Sequence, residues 1–400
     1  MNSGLTRAGW GWLAGTVLTG VAGRAFGYRA LHAVSVGGAA VLLAAAAYVL
    51  IRPRVQVTRA VRPDRLTAGE TALGRLTVRN LARWPAPGFV LVDRIGGRPV
   101  PLRVAGLAGG DRRTVHYPLP APRRGRIELG PLTVERHDPF GLLRRGQVHA
   151  AGAAIWVHPV VHPMRPLPVG RVPDFEGRRT EAARSGTVTF SSLREYVPGD
   201  DPRRIHWRTT ARAGTLIVRE HIDTTEPTTT VVLDTRATAL DPEAFEHAVQ
   251  AAASVAEATT RAGCPARVVI LGEDPARLAR LGAVSTLDRL AVAERTPDGD
   301  PVRLLEAVQR TPAGGALVVV TGPPEPALAS RLAGQRRRFT PVAVLAVLGA
   351  EHCGDHCADD CADHGAEPPA YRRPGMVQVT ARTGAQAAQA WDQMVLGELR

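Results

Sequence analysis

A chain of 400 residues with 44% hydrophobic and 22% charged side chains can bury the cores of two or three domains, which excludes a wholly disordered protein. No Gly-X-Y period and no sustained heptad runs through it, so collagen and coiled coil are excluded too. The formal charge is +13 and all 50 basic residues are Arg; in an Ala-rich chain this fits GC-rich coding and does not by itself point to nucleic acid.

The distribution of that charge says more than its total. Residues 1–51 carry Arg7, Arg24 and Arg29 and no acid. Residues 52–220 hold 30 Arg against 14 acids, and residues 221–400 hold 17 Arg against 23 acids. A basic front half and a mildly acidic back half imply different neighbours for each.

In chain order, residues 10–26 are mostly apolar, interrupted by Gly and closed by Arg24. Residues 34–51 are free of charge and dense in Ala, Val and Leu. About 20 apolar residues cross a bilayer as a helix, a length that the second run meets and the shorter, Gly-rich first run approaches. The two predict a transmembrane helical hairpin over residues 1–53, with Trp10, Trp12, Tyr28 and Tyr48 at interfacial positions. Arg52, Arg54, Arg59, Arg62 and Arg65 crowd the end of the second helix, against Arg24 and Arg29 in the short loop. The positive-inside rule then keeps both ends of the hairpin, and the soluble body after it, in the cytoplasm at the cell membrane. The competing reading is a signal peptide, but no small-residue cleavage site precedes a mature chain and a second apolar run follows.

Residues 54–168 read as β. Short alternating runs at 55–57, 74–78, 89–92, 113–117, 126–129, 132–135 and 154–157 are punctuated by Gly, Pro and Asp turns, which predicts an all-β, sandwich-like domain. Asp138-Pro139-Phe140-Gly141 superficially matches a kinase metal motif, but it stands without any other kinase element and reads as a turn closing a strand pair. Residues 163–180 are rich in Pro and Arg, as a linker or surface excursion would be. From 226 to 400 the texture becomes strand–helix alternation. Strands are expected at 228–233, 267–271, 316–320, 341–348 and 376–380, and helices at 242–261, 302–309, 327–338 and 385–399. Asp241 is a candidate N-cap for the helix at 242–261. This pattern predicts a doubly wound α/β domain with its ligand sites at the strand carboxyl ends.

Residues 169–225 lie between the two domains and hold the most unusual stretch. Pro198-Gly199 makes a turn, Asp200 or Asp201 can cap a helix, and Pro202 suits a first helical position. Arg194, Arg203, Arg204, Arg208 and Arg212 stand among Glu195, Asp200 and Asp201, a density that favours bidentate pairs. Leu193-Arg194-Glu195-Tyr196, Pro198-Gly199-Asp200-Asp201-Pro202-Arg203, Ile205, Trp207 and Ala211-Arg212 together resemble the signature of the domain of unknown function 58 family. The resemblance extends to the hairpin, to Gly-Arg-x-x-Leu-Gly-Pro at 125–131 and to Asp-Pro-Phe-Gly-Leu at 138–142. It implies a von Willebrand factor A-like C-terminal domain. It also implies a membrane-anchored accessory protein acting beside a MoxR-type AAA+ ATPase in assembly or maturation of other proteins. Signature residues Arg194, Tyr196, Gly199, Asp200, Asp201, Arg203, Trp207 and Arg212 would then serve partner binding or structure.

Two places could hold a metal. A von Willebrand A-like domain carries Asp-x-Ser-x-Ser after its first strand for Mg²⁺; Asp234, Arg236 and Thr238 stand there, with a fixed positive charge in place of one oxygen ligand. The alternative is that Asp234 caps its strand end or pairs with Arg236. In the insertion at 351–364, Cys353, Cys357, Cys361 and His364 fall on one side of a helix, as Zn²⁺ would need; a solvated, low-complexity loop is the plainer reading. Cys264 reads as core, and His206 has no nucleophile at a recognisable spacing. No catalytic constellation, Walker loop or dinucleotide fingerprint is present, so no cofactor is expected beyond Mg²⁺ or Zn²⁺ at those two places. The expected function is a membrane-anchored accessory or scaffold protein that binds lipid and proteins rather than nucleic acid. The alternative is a metal-dependent enzyme or metal-regulated adhesion module.

Overall fold

The computed structural model describes residues 3–50, 54–150, 152–167, 188–197, 205–223, 228–297, 299–349, 371–373 and 376–398. The chain divides into two compact units, Met1–Pro159 and Val160–Arg400.

The first unit opens with β1 (Ser3–Leu5), α1 (Arg7–Phe26) and α2 (Arg29–Leu50). Thr6 caps α1 by accepting a hydrogen bond from Gly9 N, and Gly27 at φ 75° ends it in a conformation that disfavours a side chain. The helices form a hairpin through small residues: Gly20 lies against Ser35, and Gly38 against Thr16. Trp12 Nε1 donates to Gly38 O at 3.2 Å and Ser35 Oγ to Thr16 O at 2.9 Å. The 22-residue α2 rises about 33 Å, matching a hydrocarbon core of about 30 Å. Among the described residues α2 is the one helix long and apolar enough to cross a membrane. Both helices of the expected hairpin form, but α2 alone among the described residues meets the length and apolarity of a span; Gly interruptions and Arg7 and Arg24 leave α1 less apolar.

β2 (Val55–Arg62), β3 (Arg65–Thr67), β4 (Thr71–Asn80), β5 (Phe89–Ile95), β6 (Arg98–Val104), β7 (Arg112–Pro120), β8 (Gly125–Leu129), β9 (Leu132–His137), β10 (Leu143–Ala150) and β11 (Ala153–His158) follow. They form a three-stranded sheet, β2-β4-β7, and a larger one, β1-β10-β9-β5-β8-β11-β3, with β6 on β5. Alternation dictates the faces: in β4, Ala72, Leu76 and Val78 are buried while Leu73, Arg75 and Arg79 are exposed. The buried residues of both sheets join one core around Leu76, Leu91, Leu119, Leu129, Leu132 and Ile155. Asp138–Gly141 is the turn between β9 and β10, with Asp138 accepting from Phe140 N at 2.9 Å and Leu143 N at 2.5 Å. β6 escaped the sequence reading because Pro99 and Pro101 argue against a strand; Pro is tolerated here because β6 pairs only with β5.

In the second unit, β12 (Val188–Glu195) and β13 (Ile217–Asp223) form an antiparallel pair flanking α3 (Trp207–Ala213). α3 starts at Trp207, with His206 at its cap and Ile205 bridged to Val218; Pro202 lies outside the described residues. The rest is β14 (Thr229–Leu233), α4 (Pro242–Arg261), β15 (Ala266–Ile270), α5 (Pro275–Leu281), α6 (Thr286–Ala291), α7 (Pro301–Arg310), β16 (Ala316–Thr321), α8 (Pro326–Ala333), β17 (Val342–Val347), β18 (Tyr371–Arg373), β19 (Met376–Ala381) and α9 (Gly384–Glu398).

The sheet order is β15-β14-β16-β17-β19-β18, parallel except for β18 at the edge. α4, α5 and α7 each begin Asp-Pro, the Asp side chain accepting from the first turn and Pro filling a position with no N–H to satisfy. β14, β16 and β17 are buried on both faces. Val231, Leu233, Val318, Val320, Leu345 and Val379 pack against α4 and α9, while Val232, Leu317, Val319 and Val344 pack against α7 and α8. Residues 160–167 belong to this unit: His162 N donates to Ser254 Oγ at 2.9 Å, and Trp391 Nε1 donates to Arg165 O at 2.9 Å.

Candidate functional site

Strand order places the topological switch of the parallel sheet between β14 and β16, where loops diverge and doubly wound domains place their ligands. Asp234, the residue after β14, lies there and is fully buried. Its backbone N donates to Val320 O at 2.9 Å. Arg236 Nε donates to Oδ1 at 3.0 Å and Nη2 to Oδ2 at 2.7 Å, a two-pronged guanidinium clamp. The backbone N of Arg236 adds a bond to Oδ1 at 3.1 Å, and Thr321 Oγ1 one to Oδ2 at 2.6 Å. Arg236 Nη1 reaches Gly299 O at 3.3 Å.

Both carboxylate oxygens are thus engaged, and the positive charge facing them is the guanidinium itself. A hard cation needs several free oxygens at once. Here Thr238 is exposed, and no described group of three or more His, Cys, Asp and Glu could share an ion. The Asp234 position therefore does not fit Mg²⁺, and its chemistry is that of a closed ion pair. The other metal candidates, Cys353, Cys357, Cys361 and His364, lie outside the described residues.

Beside the switch, at the carboxyl end of β15, a cavity of about 140 Å³ is lined by Glu273, Arg277, Arg289, Glu294, Arg295 and Thr296, among others. Its charges neutralise one another. Arg289 grips Glu273 at 2.8 and 2.5 Å, and Arg277 pairs with both oxygens of Glu294. Arg295 Nη2 donates to Ala237 O at 3.0 Å, tying the cavity wall to the Asp234 loop.

The signature segment forms its own small surface. Tyr196 N donates to Leu216 O at 2.8 Å and His206 N to Ile217 O at 2.7 Å, while Ile217 N donates to Thr210 Oγ1 at 3.0 Å. His206 Nδ1 lies 2.5 Å from Thr209 Oγ1, a local structural bond. These contacts hold α3 on β13, with Trp207 67%, Val197 58%, Leu216 43% and Leu193 39% exposed. Arg212 is exposed in the last turn of α3. Gly199, Asp200, Asp201 and Arg203 lie outside the described residues, as does the side chain of Arg194. Cys264 is half-buried rather than core, a consequence of its place in the turn before β15.

Residues 192–328 match the family described as protein of unknown function DUF58. The match supports the family that the signature resembles, and it joins β12, α3 and β13 to the α/β sheet through β16 and into α8. No curated protein matches the chain. Among solved structures, the chain is similar over 26% of its length to 93% of the CARDB domain of a Pyrococcus furiosus protein in complex with di-metal ions, at 17% identity and a TM-score of 0.22. It is similar over 30% of its length to 33% of the Pseudomonas fluorescens alkylpurine DNA glycosylase AlkC, at 15% identity and a TM-score of 0.20. Similarity to a Listeria innocua β-glucosidase covers 26% of this chain and 16% of that one, at 14% identity and a TM-score of 0.18. These likenesses carry no argument about fold or function.

The sequence reading missed a buried polar cluster in the β-rich unit. Arg59 Nη1 meets Asp93 Oδ1 at 2.8 Å and Arg59 Nη2 meets Leu129 O at 3.2 Å, while Tyr117 donates to Asp93 Oδ2. Asp93 on β5 is fully buried, so β2 and β7 of the small sheet are tied to the large sheet through one carboxylate. Burial, and then the hydrogen bond to Asp93, push the Tyr117 phenol far above its ordinary pKa. The signal was Asp93 directly after the apolar run Phe89-Val90-Leu91-Val92.

Proposed function

We propose that this protein is a membrane-tethered, non-catalytic binding module that holds partner proteins at the membrane surface. The observation that supports this most is the closed switch point: the place where an α/β domain of this order would hold a cation or substrate is filled by the protein's own Arg236. What remains open is the apolar surface around Trp207, Val197, Leu216 and Leu193, within the family match. Exposed tryptophan and arginine, here Trp207 and Arg212, are residue types enriched at the anchors of protein interfaces.

In this reading the α/β sheet is a von Willebrand factor A-like domain that has exchanged its cation for a guanidinium. α1 crosses the bilayer with α2, and the body lies on the cytoplasmic side, where Arg52, Arg54 and Arg59 follow the second helix. The partner implied by the family resemblance is a MoxR-type AAA+ ATPase, and the joint task is assembly or maturation of other proteins. Full-length protein purified from its own membranes should enrich that ATPase. Trp207→Ala, Asp200→Ala and Arg203→Ala should each lose the enrichment while the protein stays in the membrane fraction. Equal recovery of the ATPase with all three variants, or none with the wild type, would remove this reading.

A further inference from the structure

The β-rich unit ends, next to α2, in a braced loop whose exposed side chains suit a lipid surface. α2 closes at Leu50 and β2 opens at Val55. Leu81 N donates to Arg54 O at 2.7 Å, which pins the loop after β4 four residues beyond the helix end. Four extended residues reach at most about 14 Å, so whatever path residues 51–53 take, this loop stays beside the end of α2. At the same end of the hairpin, Thr6 Oγ1 donates to Gly141 O at 2.6 Å and Thr6 N to Leu142 O at 2.9 Å. The β9–β10 turn, with Phe140 64% exposed, is thereby fixed to the start of α1.

The loop is held rigid from within. Asn80 is fully buried; its amide N donates to Trp84 O at 2.9 Å, Ala108 O at 3.1 Å and Leu107 O at 3.2 Å, and its Oδ1 accepts from Ala82 N at 3.0 Å. Ala86 and Leu107 exchange backbone bonds of 2.8 and 2.9 Å. Any side chain at Gly109 would collide with Arg83 O, 2.1 Å from its Cβ position. On this fixed backbone Trp84 is 81% exposed and Leu81 57% exposed. A rigid loop that displays an indole and an isobutyl group to water is unfavourable unless something apolar receives them.

The surrounding charge identifies the receiver. Arg54, Arg79, Arg83, Arg112 and Arg113 are all exposed, and none of them pairs with a carboxylate among the described residues. Arg79 and Arg112 are direct cross-strand partners, an arrangement that repels unless an anion sits on it. The one acid within residues 79–86 and 107–113 is Asp111. Tryptophan and leucine ringed by guanidiniums, at the mouth of a membrane helix, match the interface of an anionic bilayer.

We propose that the Leu81–Trp84 loop inserts into the headgroup region of the bilayer that holds α2, with the five guanidiniums on anionic lipid phosphates and Phe140 as a second apolar contact. This rests on the reading of the helical hairpin as membrane-embedded. The β-rich unit is then fixed against the membrane by its own surface as well as by the hairpin, so it does not swing on a stalk.

The test uses the full chain in phosphatidylcholine nanodiscs with and without phosphatidylglycerol, containing lipids brominated close to the headgroup. The Trp84 emission is the difference between wild type and Trp84→Phe. It should be quenched in the phosphatidylglycerol discs and recover with added salt. An Arg near an anionic surface contributes about fivefold in local partition, so Arg79→Glu with Arg112→Glu should lower Trp84 quenching by at least that factor. An unquenched Trp84, or one that is shielded only when another protein is added, overturns the proposal; quenching that ignores phosphatidylglycerol overturns its electrostatic part. Trp10 and Trp12 report on the hairpin separately: if they too escape quenching and the chain fails to float with vesicles, it is the membrane reading that fails.

Discussion

Arg236→Met is the perturbation that bears most directly on the closed switch point. It leaves Asp234, fully buried, with only the Thr321 hydroxyl and one backbone N–H as donors. The side chains of the pair are 7% and 0% exposed, so solvent screens the interaction little. Removing one partner of such a pair typically costs about 3–5 kcal/mol, because the surviving charge stays buried. For an α/β unit of this size that corresponds to a fall in Tm of about 6–20 °C. Thermal unfolding of the full chain, followed by near-ultraviolet circular dichroism, reads this shift. The double variant Asp234→Asn/Arg236→Met should recover most of it, since the uncompensated charge is gone. Added Mg²⁺ should leave the wild-type transition where it is. A fall below about 2–4 °C for Arg236→Met, equivalent to roughly 1 kcal/mol, would show that Asp234 is not held by the guanidinium. Stabilisation of the wild type by Mg²⁺ would show that the site accepts a cation after all.

Three further outcomes follow from other parts of the molecule. The Tyr117 phenol has its folded pKa raised by burial and by Asp93, so above its ordinary pKa the unfolded chain loses a proton that the folded chain keeps. Stability should therefore be complete at neutral pH and decline as pH rises past 10; urea titrations of Tyr117→Phe should lose that slope, and an unchanged slope would refute the assignment. His149 is shifted the opposite way, its pKa lowered by burial, so its contribution is present above its ordinary range and is lost as the solution is acidified; His149→Gln should flatten the decline below pH of about 6.5. Asn80→Ala removes four hydrogen bonds from a buried site and should destabilise the β-rich unit by about 1–3 kcal/mol, with faster amide exchange confined first to residues 81–86 and 107–109.

Legibility in the sequence followed the strength of the local pattern. The α4 boundaries were readable to the residue because Asp241-Pro242 opens the helix, and Gly263 follows soon after its end at Arg261. The parallel strands were readable because they are short, continuous apolar runs, buried on both faces. Strand order, and with it the position of Asp234 next to Thr321, was not readable: no local feature says which strands become neighbours. α8 was read too long because its basic end continues the helical pattern, whereas the chain tightens into a 3₁₀ turn at Gly334–Arg337. β10 carries Arg144, Arg145, Gly146 and His149 and gives no apolar alternation; it is a strand because β9 and β1 pair with it. The Trp84 loop was missed because its meaning depends on Asn80, whose partners Leu107 and Ala108 are far along the chain.

Two groups within the Arg excess have opposite physical roles. Arg59 and Arg236 are internal cations: each meets a fully buried carboxylate, Asp93 or Asp234, and spends a remaining N–H on a carbonyl, Leu129 O or Gly299 O. Arg338 does related work without a carboxylate, donating to Gln309 O at 2.9 Å in the last turn of α7 and to Thr311 O at 2.7 Å at its cap. A planar fork of five donors can satisfy several acceptors at once in a dry site, which a lysine ammonium does less well, and this chain has no lysine. Among the described residues Arg54, Arg79, Arg83, Arg112 and Arg113 have no such partners, and they crowd the end of the β-rich unit from which α2 departs. Substituting the first kind should cost folding stability and leave lipid contact intact; substituting the second should do the reverse. The net charge of +13 is 50 guanidiniums less 37 carboxylates; the internal Arg–Asp pairs cancel within it, and guanidiniums facing outward are the ones that respond to salt or to anionic lipid.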